Sequence, residues 1–268
     1  MKNKEYIISP SALSYLCNHC QYLIQNHELY NKSISAGITT TLDGIEKEYF
    51  LGDCKKIDKK LPKGETIDPY NNSFFSKILT DKDGRTYRFK GKADAIIKFD
   101  DGECGIIDYK TSKFKANPNK KDYFKEKNLQ EKIDEYNPQL HAYYLLYSNL
   151  ETNEDFLRKQ YQKSYPTSKE PKITIGVNKV LDKIKRITVS KPKIFGLVFI
   201  YPEDTDLKKG IKVNFSFKFC KVPIDLEGFK NKMTNYMKML HNKTAPLPPK
   251  ECGCFMHKYF YDPRKLKY

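Results

Sequence analysis

The chain lacks any long apolar run. The longest, Ile194 to Tyr201, is strand-sized and far short of the roughly 18 residues a membrane span needs, so no membrane partner is expected. The N-terminus carries lysines but no extended apolar segment, which argues against a secretory signal. Internal repeats and long low-complexity segments are missing. Disulfide bookkeeping also fails, because seven cysteines is an odd number for a chain of this size. A reducing cytoplasm is the expected setting. There is no tryptophan, so the apolar aromatic mass lies in 20 tyrosines and 16 phenylalanines. Most of these must fill the core, and any that remain exposed are able to stack on bases.

Acidic residues are outnumbered by basic ones. Lysine and arginine number 49 against 33 aspartates and glutamates, a formal net charge of +16. The excess is spread along the chain, as on a surface that attracts polyanions, of which nucleic acid is the commonest. A lysine-rich composition inherited from an AT-rich genome gives the same excess without a partner.

With 268 residues the chain can bury a sizeable core, and a single domain with elaborations is expected. Ser9-Pro10-Ser11 reads as a helix start, with Ser9 as N-cap and Pro10 at the first helical position; Leu13, Leu16, Tyr22 and Leu23 would face inward. A second helix is expected over Thr41 to Phe50, and the polar stretch Lys55 to Asn72 as a loop. A strand follows at Tyr87 to Gly91. Residues 114–135 suggest a mobile connection with some helix, and a helix is expected to start after Asn137-Pro138 and run to about Leu150. Residues 151–192 are polar and weakly patterned. Ile194 to Tyr201 and Ile211 to Phe219 read as a strand pair around PEDTDLKKG. Ile224 to His241 has helical spacing at Leu226, Phe229, Met233, Tyr236 and Leu240.

The chemistry concentrates in GKADAIIKFDDGECGIIDYKTSK, residues 91–113. Two short apolar runs, Ala93 to Phe99 and Gly105 to Tyr109, flank a Gly-containing turn and read as a β-hairpin. Asp108 and Lys110 are two apart, so they leave the same face of one strand, and pairing can bring Asp94 close from the other. Two convergent carboxylates suit Mg²⁺ or Mn²⁺, which activates water and offsets charge on a phosphoryl oxygen. A neighbouring lysine suits an attacking water or the developing charge. Asp-x-Lys alone is ordinarily a pair of surface charges.

The longer phrase resembles the PD-(D/E)XK nuclease superfamily, in particular its RecB-type branch, which includes CRISPR-adaptation exonucleases. Gly91-Lys92-Ala93-Asp94 is similar to the branch's Gly-x-x-Asp, and Asp108-Tyr109-Lys110-Thr111 to its acid-x-Lys-Thr phrase. Gln139 and Tyr143 match a Gln-x-x-x-Tyr motif, and Ser9-Pro10-Ser11 ahead of Cys17 matches a Ser-Pro-Ser opening. The four motifs fall in the expected order over about residues 7–147.

The resemblance implies an α/β fold with a restriction-endonuclease-like core: a mixed central β-sheet flanked by helices, with cysteine-bearing segments at both ends. Within one domain over 1–268, residues 1–60 would form the N-terminal helical segment, 80–225 the nuclease core, and 226–268 the C-terminal helix and cysteine pair. It further implies a metal-dependent deoxyribonuclease, with an exonuclease acting on single-stranded DNA ends as the expected form. Asp94, Asp108 and the Tyr109 backbone carbonyl would hold Mg²⁺ or Mn²⁺, and Lys110 would serve catalysis. Gln139 and Tyr143 would line the cleft, and Thr111 and Lys113 would contact phosphate. No Walker A loop is present, so any helicase partner is expected to be a separate protein. A non-catalytic nucleic-acid-binding or adaptor protein on the same fold is the alternative.

The branch commonly places a histidine metal ligand after a glycine on an early helix. Here Gly44 is followed by Ile45, Glu46, Lys47 and Glu48, so Glu48 stands at that position, with Asp43 and Glu46 as other acids. Cys17 and Cys20, with Cys252 and Cys254, form two close pairs suited to Zn²⁺ or an iron–sulfur cluster. The branch's usual division is one cysteine and three, so His19 and His257 are further candidate ligands. Cys54, Cys104 and Cys220 read as small buried hydrophobes, and His27, His141 and His241 as ordinary core or surface residues.

Overall fold

A computed structural model of the protein describes residues 4–27, 37–68, 73–111, 126–206 and 212–249. In chain order the elements are β1 (Tyr6–Ile8), α1 (Ala12–Tyr15), α2 (Asn18–His27), α3 (Gly37–Phe50), β2 (Gly52–Asp53), a 3₁₀ turn (Cys54–Lys56), β3 (Gly64–Ile67), β4 (Phe74–Phe75) and β5 (Leu79–Thr80). There follow β6 (Thr86–Gly91), β7 (Ala95–Phe99), β8 (Cys104–Thr111), α4 (Glu126–Ser148), α5 (Glu154–Ser164), α6 (Glu170–Ile187), β9 (Pro192–Asp206), β10 (Lys212–Val222) and α7 (Leu226–Leu240).

The main sheet runs β10-β9-β8-β7-β3-β2. It is mixed: β8 and β9 are parallel, whereas β7–β8 and β9–β10 are antiparallel. The parallel pair needs a crossover, which α4, α5 and α6 supply. β8 is central, and its residues from Cys104 to Tyr109 are buried, as expected of a strand covered on both faces. On one face α4 contributes Leu140, Tyr143, Leu146 and Tyr147 to a core shared with Ile96, Ile106, Phe195 and Leu197. On the other, Phe50, Cys54, Ile57 and Leu61 cover Ile97, Ile107, Tyr109 and Val198. A smaller sheet centres on β6, which pairs in parallel with β1 and antiparallel with β4 and β5. The α/β class and the mixed sheet flanked by helices agree with the expectation.

Several local expectations are corrected. The first helix is two helices: Leu16 takes an extended ψ of 134°, and the Cys20 N–H lies 3.5 Å from Cys17 Sγ, so Cys17 caps a fresh start. The loop expected over Lys55 to Asn72 contains β3, whose Thr66 and Ile67 pair with Ile97 and Ile96. Helix α4 begins at Glu126 and carries Pro138 inside it. Ile133 before the proline and Leu140 after it are buried in the same core, and that packing outweighs the roughly 3 kcal/mol an interior proline costs. The weakly patterned 151–192 region forms α5 and α6, which bury Leu157, Ile173, Val177, Ile184 and Ile187. The β9 and β10 strands run further than their apolar runs indicate, pairing out to Asp206 and Lys212.

Candidate active site

The hairpin of β7 and β8 aligns Ala95 with Ile107, which sets Asp94 level with Asp108 at the end of the ladder. The Tyr109 N–H donates to Asp94 Oδ2 at 2.9 Å, fixing the first carboxylate against the second strand. Asp108 and Lys110 share the face covered by α4, and Lys110 Nζ lies 2.5 Å from Asp108 Oδ2. Tyr109 faces the opposite way, its ring 5.3 Å from that of Phe50. Asp94, Asp108 and Lys110 thus converge where β8 leaves the core.

Helix α4 supplies the next layer. The Gln139 side-chain amide donates to Asp108 Oδ1 at 3.0 Å and lies 3.4 Å from the Tyr143 hydroxyl. Gln139 Oε1 accepts from the Ser14 hydroxyl at 3.0 Å and from Lys110 Nζ at 3.4 Å. The Lys110 ammonium sits 4.2 Å above the Tyr136 ring, a cation–π contact. The Tyr147 hydroxyl accepts from the Ala93 N–H at 3.1 Å, tying the start of the hairpin to the same helix.

Gly91 explains how the sequence motifs fit together. A Cβ there would lie 2.8 Å from Pro10 Cδ and 3.3 Å from Tyr143 Cε1. The glycine therefore lets the Ser-Pro-Ser segment and α4 close on the strand that leads into Asp94. Gly-x-x-Asp, Ser-Pro-Ser and Gln-x-x-x-Tyr are one packed unit.

From α3, Lys47 Nζ approaches Asp94 Oδ1 at 3.5 Å, and buried Glu46 accepts from the Thr111 hydroxyl at 3.3 Å. Glu48 is exposed, and Glu46 is the α3 acid brought to the end of β8. Helical spacing explains the difference, because residues two apart point to different sides of a helix. The side chain of Asp43 and the whole of Lys113 lie outside the described residues. Lys47, Tyr136 and Ser14 went unremarked in the sequence. Only Lys47, adjacent to the acids after Gly44, carried a local signal.

Burial pushes the Asp94 carboxyl up, and the neighbouring Asp108 pushes it further, to about 8, against the opposing pull of Lys47. Burial alone would lower the Lys110 ammonium, but the carboxylate of Asp108 outweighs it and raises the group above its ordinary value. Burial and the two acids likewise hold the Tyr143 hydroxyl protonated. Asp108 Oδ2 is paired with the Lys110 ammonium at 2.5 Å. Two enclosed, mutually repelling carboxylates fit a hard divalent cation. No group of three or more His, Cys, Asp or Glu side chains is gathered at metal-binding distance among the described residues.

Toward the N-terminus, Cys20 is buried and Cys17 half-buried. Buried His19 brings Nδ1 to 2.6 Å from the Pro246 carbonyl, which seats the segment after α7 against α2. Cys252, Cys254 and His257 lie outside the described residues. Cys54, Cys104 and Cys220 are buried, as expected. His141 is a core residue, donating through Nδ1 to the Asn137 carbonyl at 2.9 Å and accepting through Nε2 from the Asp225 N–H at 2.8 Å.

A fold with paired acids and a lysine at the end of a central β-hairpin, covered by a Gln- and Tyr-bearing helix, defines a nuclease-like α/β protein. The model of the PD-(D/E)XK nuclease superfamily matches residues 41–206, and the chain belongs to that superfamily. No curated protein matches the chain. The crystal structure of SSO0001 is similar over 92% of this chain and 80% of its own, at 16% identity and a TM-score of 0.41. No helix among the described residues is long and apolar enough to cross a membrane.

Proposed function

We propose that the chain is a divalent-metal-dependent deoxyribonuclease that trims single-stranded DNA ends, as an exonuclease in DNA processing, repair or defence. The observation that carries this reading is the enclosed Asp94–Asp108 pair beside Lys110, with Asp94 raised to about 8 by burial and by its acidic neighbour. An all-oxygen donor set suits Mg²⁺ or Mn²⁺ over softer metals. Asp94 and Asp108 would hold the ion, with the Tyr109 carbonyl as a further oxygen and Glu46 better disposed than Glu48 to add an acid. A bound ion of this kind supplies charge neutralisation at the phosphoryl group and a more acidic water.

The residues divide the remaining work. Lys110, kept as an ammonium by Asp108, acts as a fixed positive charge and hydrogen-bond donor, not as a base. It orients the attacking water and offsets charge that grows on the phosphoryl oxygens. Gln139 holds the Asp108 carboxylate in one orientation through its amide. Tyr143, held neutral, and Thr111 border the strand end as candidate substrate contacts. Water attacks phosphorus in line, and the P–O bond to the departing sugar breaks, leaving a phosphomonoester and a hydroxyl.

The substrate is tested by incubating purified protein with end-labelled single-stranded DNA, duplex DNA and RNA of equal length in Mg²⁺ or Mn²⁺. Progressive shortening of single-stranded DNA supports the reading. Degradation of RNA alone, or internal cutting of duplex, overturns its substrate and mode. Binding without cleavage under every metal condition favours the adaptor alternative.

For the chain ends we propose a zinc or iron–sulfur staple at Cys17, Cys20, Cys252 and Cys254. The His19–Pro246 contact supports it, since Pro246 is six residues ahead of Cys252. Elemental analysis after anaerobic purification tests it: neither zinc nor iron with sulfide overturns the staple.

A further inference from the structure

Beyond the candidate active site, one surface departs from what a soluble protein ordinarily leaves in water. Phe215 and Phe217 of β10 are 44% and 38% exposed, and Ile45 and Tyr49 of α3 are 58% and 57% exposed. Phe217 joins the two elements, its ring 4.9 Å from Phe50 and 6.2 Å from Tyr49, edge-on to both. Residues 215, 217 and 219 alternate onto one face of β10, and Phe219 at the inner end packs against the core. The result is an aromatic strip running outward from the core along an edge strand. Contiguous exposed apolar surface of this kind ordinarily marks an interaction site.

Its position ties it to the chemistry. Phe217 pairs with Ile200, and Ile200 pairs with Thr111, the residue after Lys110. Phe217 therefore stands two strands from the end of β8, about 10 Å across the sheet. The face is that of Tyr109 and α3, and the same α3 that presents Tyr49 sends Lys47 to Asp94. A ligand lying across α3 and β10 would lead to the Asp94–Asp108–Lys110 cluster.

We propose that this strip is a base-stacking platform for single-stranded nucleic acid entering the candidate active site. The proposal rests on the nuclease reading above and specifies how single strands are selected. Rings of Phe and Tyr offer flat faces that every base can stack on, whereas a duplex hides its bases and offers only its terminal pair. The net charge of +16 complements a polyanion and works against self-association of like-charged copies through this face. Phosphates would be held by charge and bases by the strip.

The absence of tryptophan provides a clean reporter. In Phe215→Trp the only indole of the protein sits on the strip, and its emission is followed as a labelled 20-nucleotide oligothymidylate is added in EDTA at low salt. Quenching by oligothymidylate, with little change on adding an abasic oligomer of equal charge, is the expected result. Phe215→Ser and Tyr49→Ser, both at exposed positions, should each weaken oligothymidylate binding roughly tenfold, within the range for loss of one stacked base. Phe217→Leu, which keeps an apolar contact with Phe50, should weaken it less. Equal affinity for the abasic oligomer, or unchanged affinity in the serine variants, overturns the platform. A dimer in sedimentation that the serine variants dissolve also overturns it, assigning the strip to a second copy. Cleavage by the parent in Mn²⁺, measured in parallel, keeps the two readings apart. Cleavage without base-dependent binding sinks the platform alone, and base-dependent binding without cleavage sinks the nuclease reading alone.

Discussion

Replacing Asp94 by asparagine should stabilise the metal-free protein while abolishing its proposed activity. In the fold the carboxyl is raised from 3.8 to about 8, by burial first and Asp108 second. The folded state therefore binds more protons than the unfolded chain between those values. Stability is fully present below pH 3.8, declines as pH rises through the window, and levels off above about 8. A shift of that size is worth at most about 6 kcal/mol. Sharing between the two acids and the 21% of the side chain left exposed reduce this to about 2 kcal/mol, or about 4 to 8 °C in Tm for a chain of this size. Asparagine keeps an oxygen for the Tyr109 N–H and loses only the Lys47 contact, worth under about 1 kcal/mol. Thermal melts in EDTA at pH 8 should show the gain, and melts at pH 4 should show almost none. Millimolar Mn²⁺ should raise the Tm of the parent but not of the variant, because only the parent retains both acids. A variant less stable than the parent at pH 8 in EDTA, or a gain that persists unchanged at pH 4, would refute the reasoning.

Three further outcomes follow from packing. Gly91→Ala should lower both stability and activity, because its Cβ meets the Pro10 ring at 2.8 Å; a cost of about 1–3 kcal/mol is expected for such overpacking, read as a fall in Tm, and Pro10→Ala in the same chain should restore part of it. Arg88→Leu should cost about 3–5 kcal/mol, since Arg88 is buried on β6 and pairs with Glu151 and Glu5 while donating to the Ser76 carbonyl at 2.9 Å; urea denaturation measures it, and Glu151→Gln in the leucine background should recover part of the loss. His141 is lowered by burial, so its contribution is present above the ordinary imidazole value of 6.5 and is lost as pH falls through that value toward the folded one; protonation removes the acceptor for the Asp225 N–H. His141→Gln should flatten the acid limb of the Tm–pH curve below about pH 6.5, and an unchanged limb would assign that limb to other groups.

Legibility in the sequence followed the strength of local patterning. The β7–β8 hairpin could be read because Ala93 to Phe99 and Gly105 to Tyr109 are apolar on both faces, as a central strand pair must be. The helix α7 could be read because Phe229, Met233, Met237 and Leu240 are all buried at helical spacing. Where packing overrides propensity, the pattern fails. Pro138 marks a helix start in isolation, yet lies inside α4 because core residues flank it. Leu16 continues an apolar periodicity, yet turns extended so that Cys17 can cap α2. In β3, Gly64, Glu65 and Thr66 look like loop residues, and a Cβ at Gly64 would lie 2.5 Å from the Lys98 carbonyl, so the glycine is there for close strand approach. At the candidate site the linear motifs named Asp94, Asp108, Lys110, Gln139 and Tyr143, which the fold brings together. The choice of Glu46 over Glu48 depends on the rotation of α3 about its axis, which four consecutive residues do not specify.

The central claim is that Asp94, Asp108 and Lys110 form one metal-dependent phosphodiester-cleaving unit. Its most direct test is single-turnover cleavage of a 5′-labelled single-stranded oligonucleotide by the parent, Asp108→Asn and Lys110→Ala, titrated with Mn²⁺ from none to excess. The account predicts no cleavage without metal and saturable cleavage by the parent. It predicts at least a hundredfold loss in Lys110→Ala that added Mn²⁺ does not restore, on the scale of losing one transition-state donor, with oligonucleotide binding retained. Asp108→Asn should lose activity together with the Mn²⁺ response. Parent-like cleavage rates in both variants, or cleavage by the parent that EDTA leaves untouched, would contradict it.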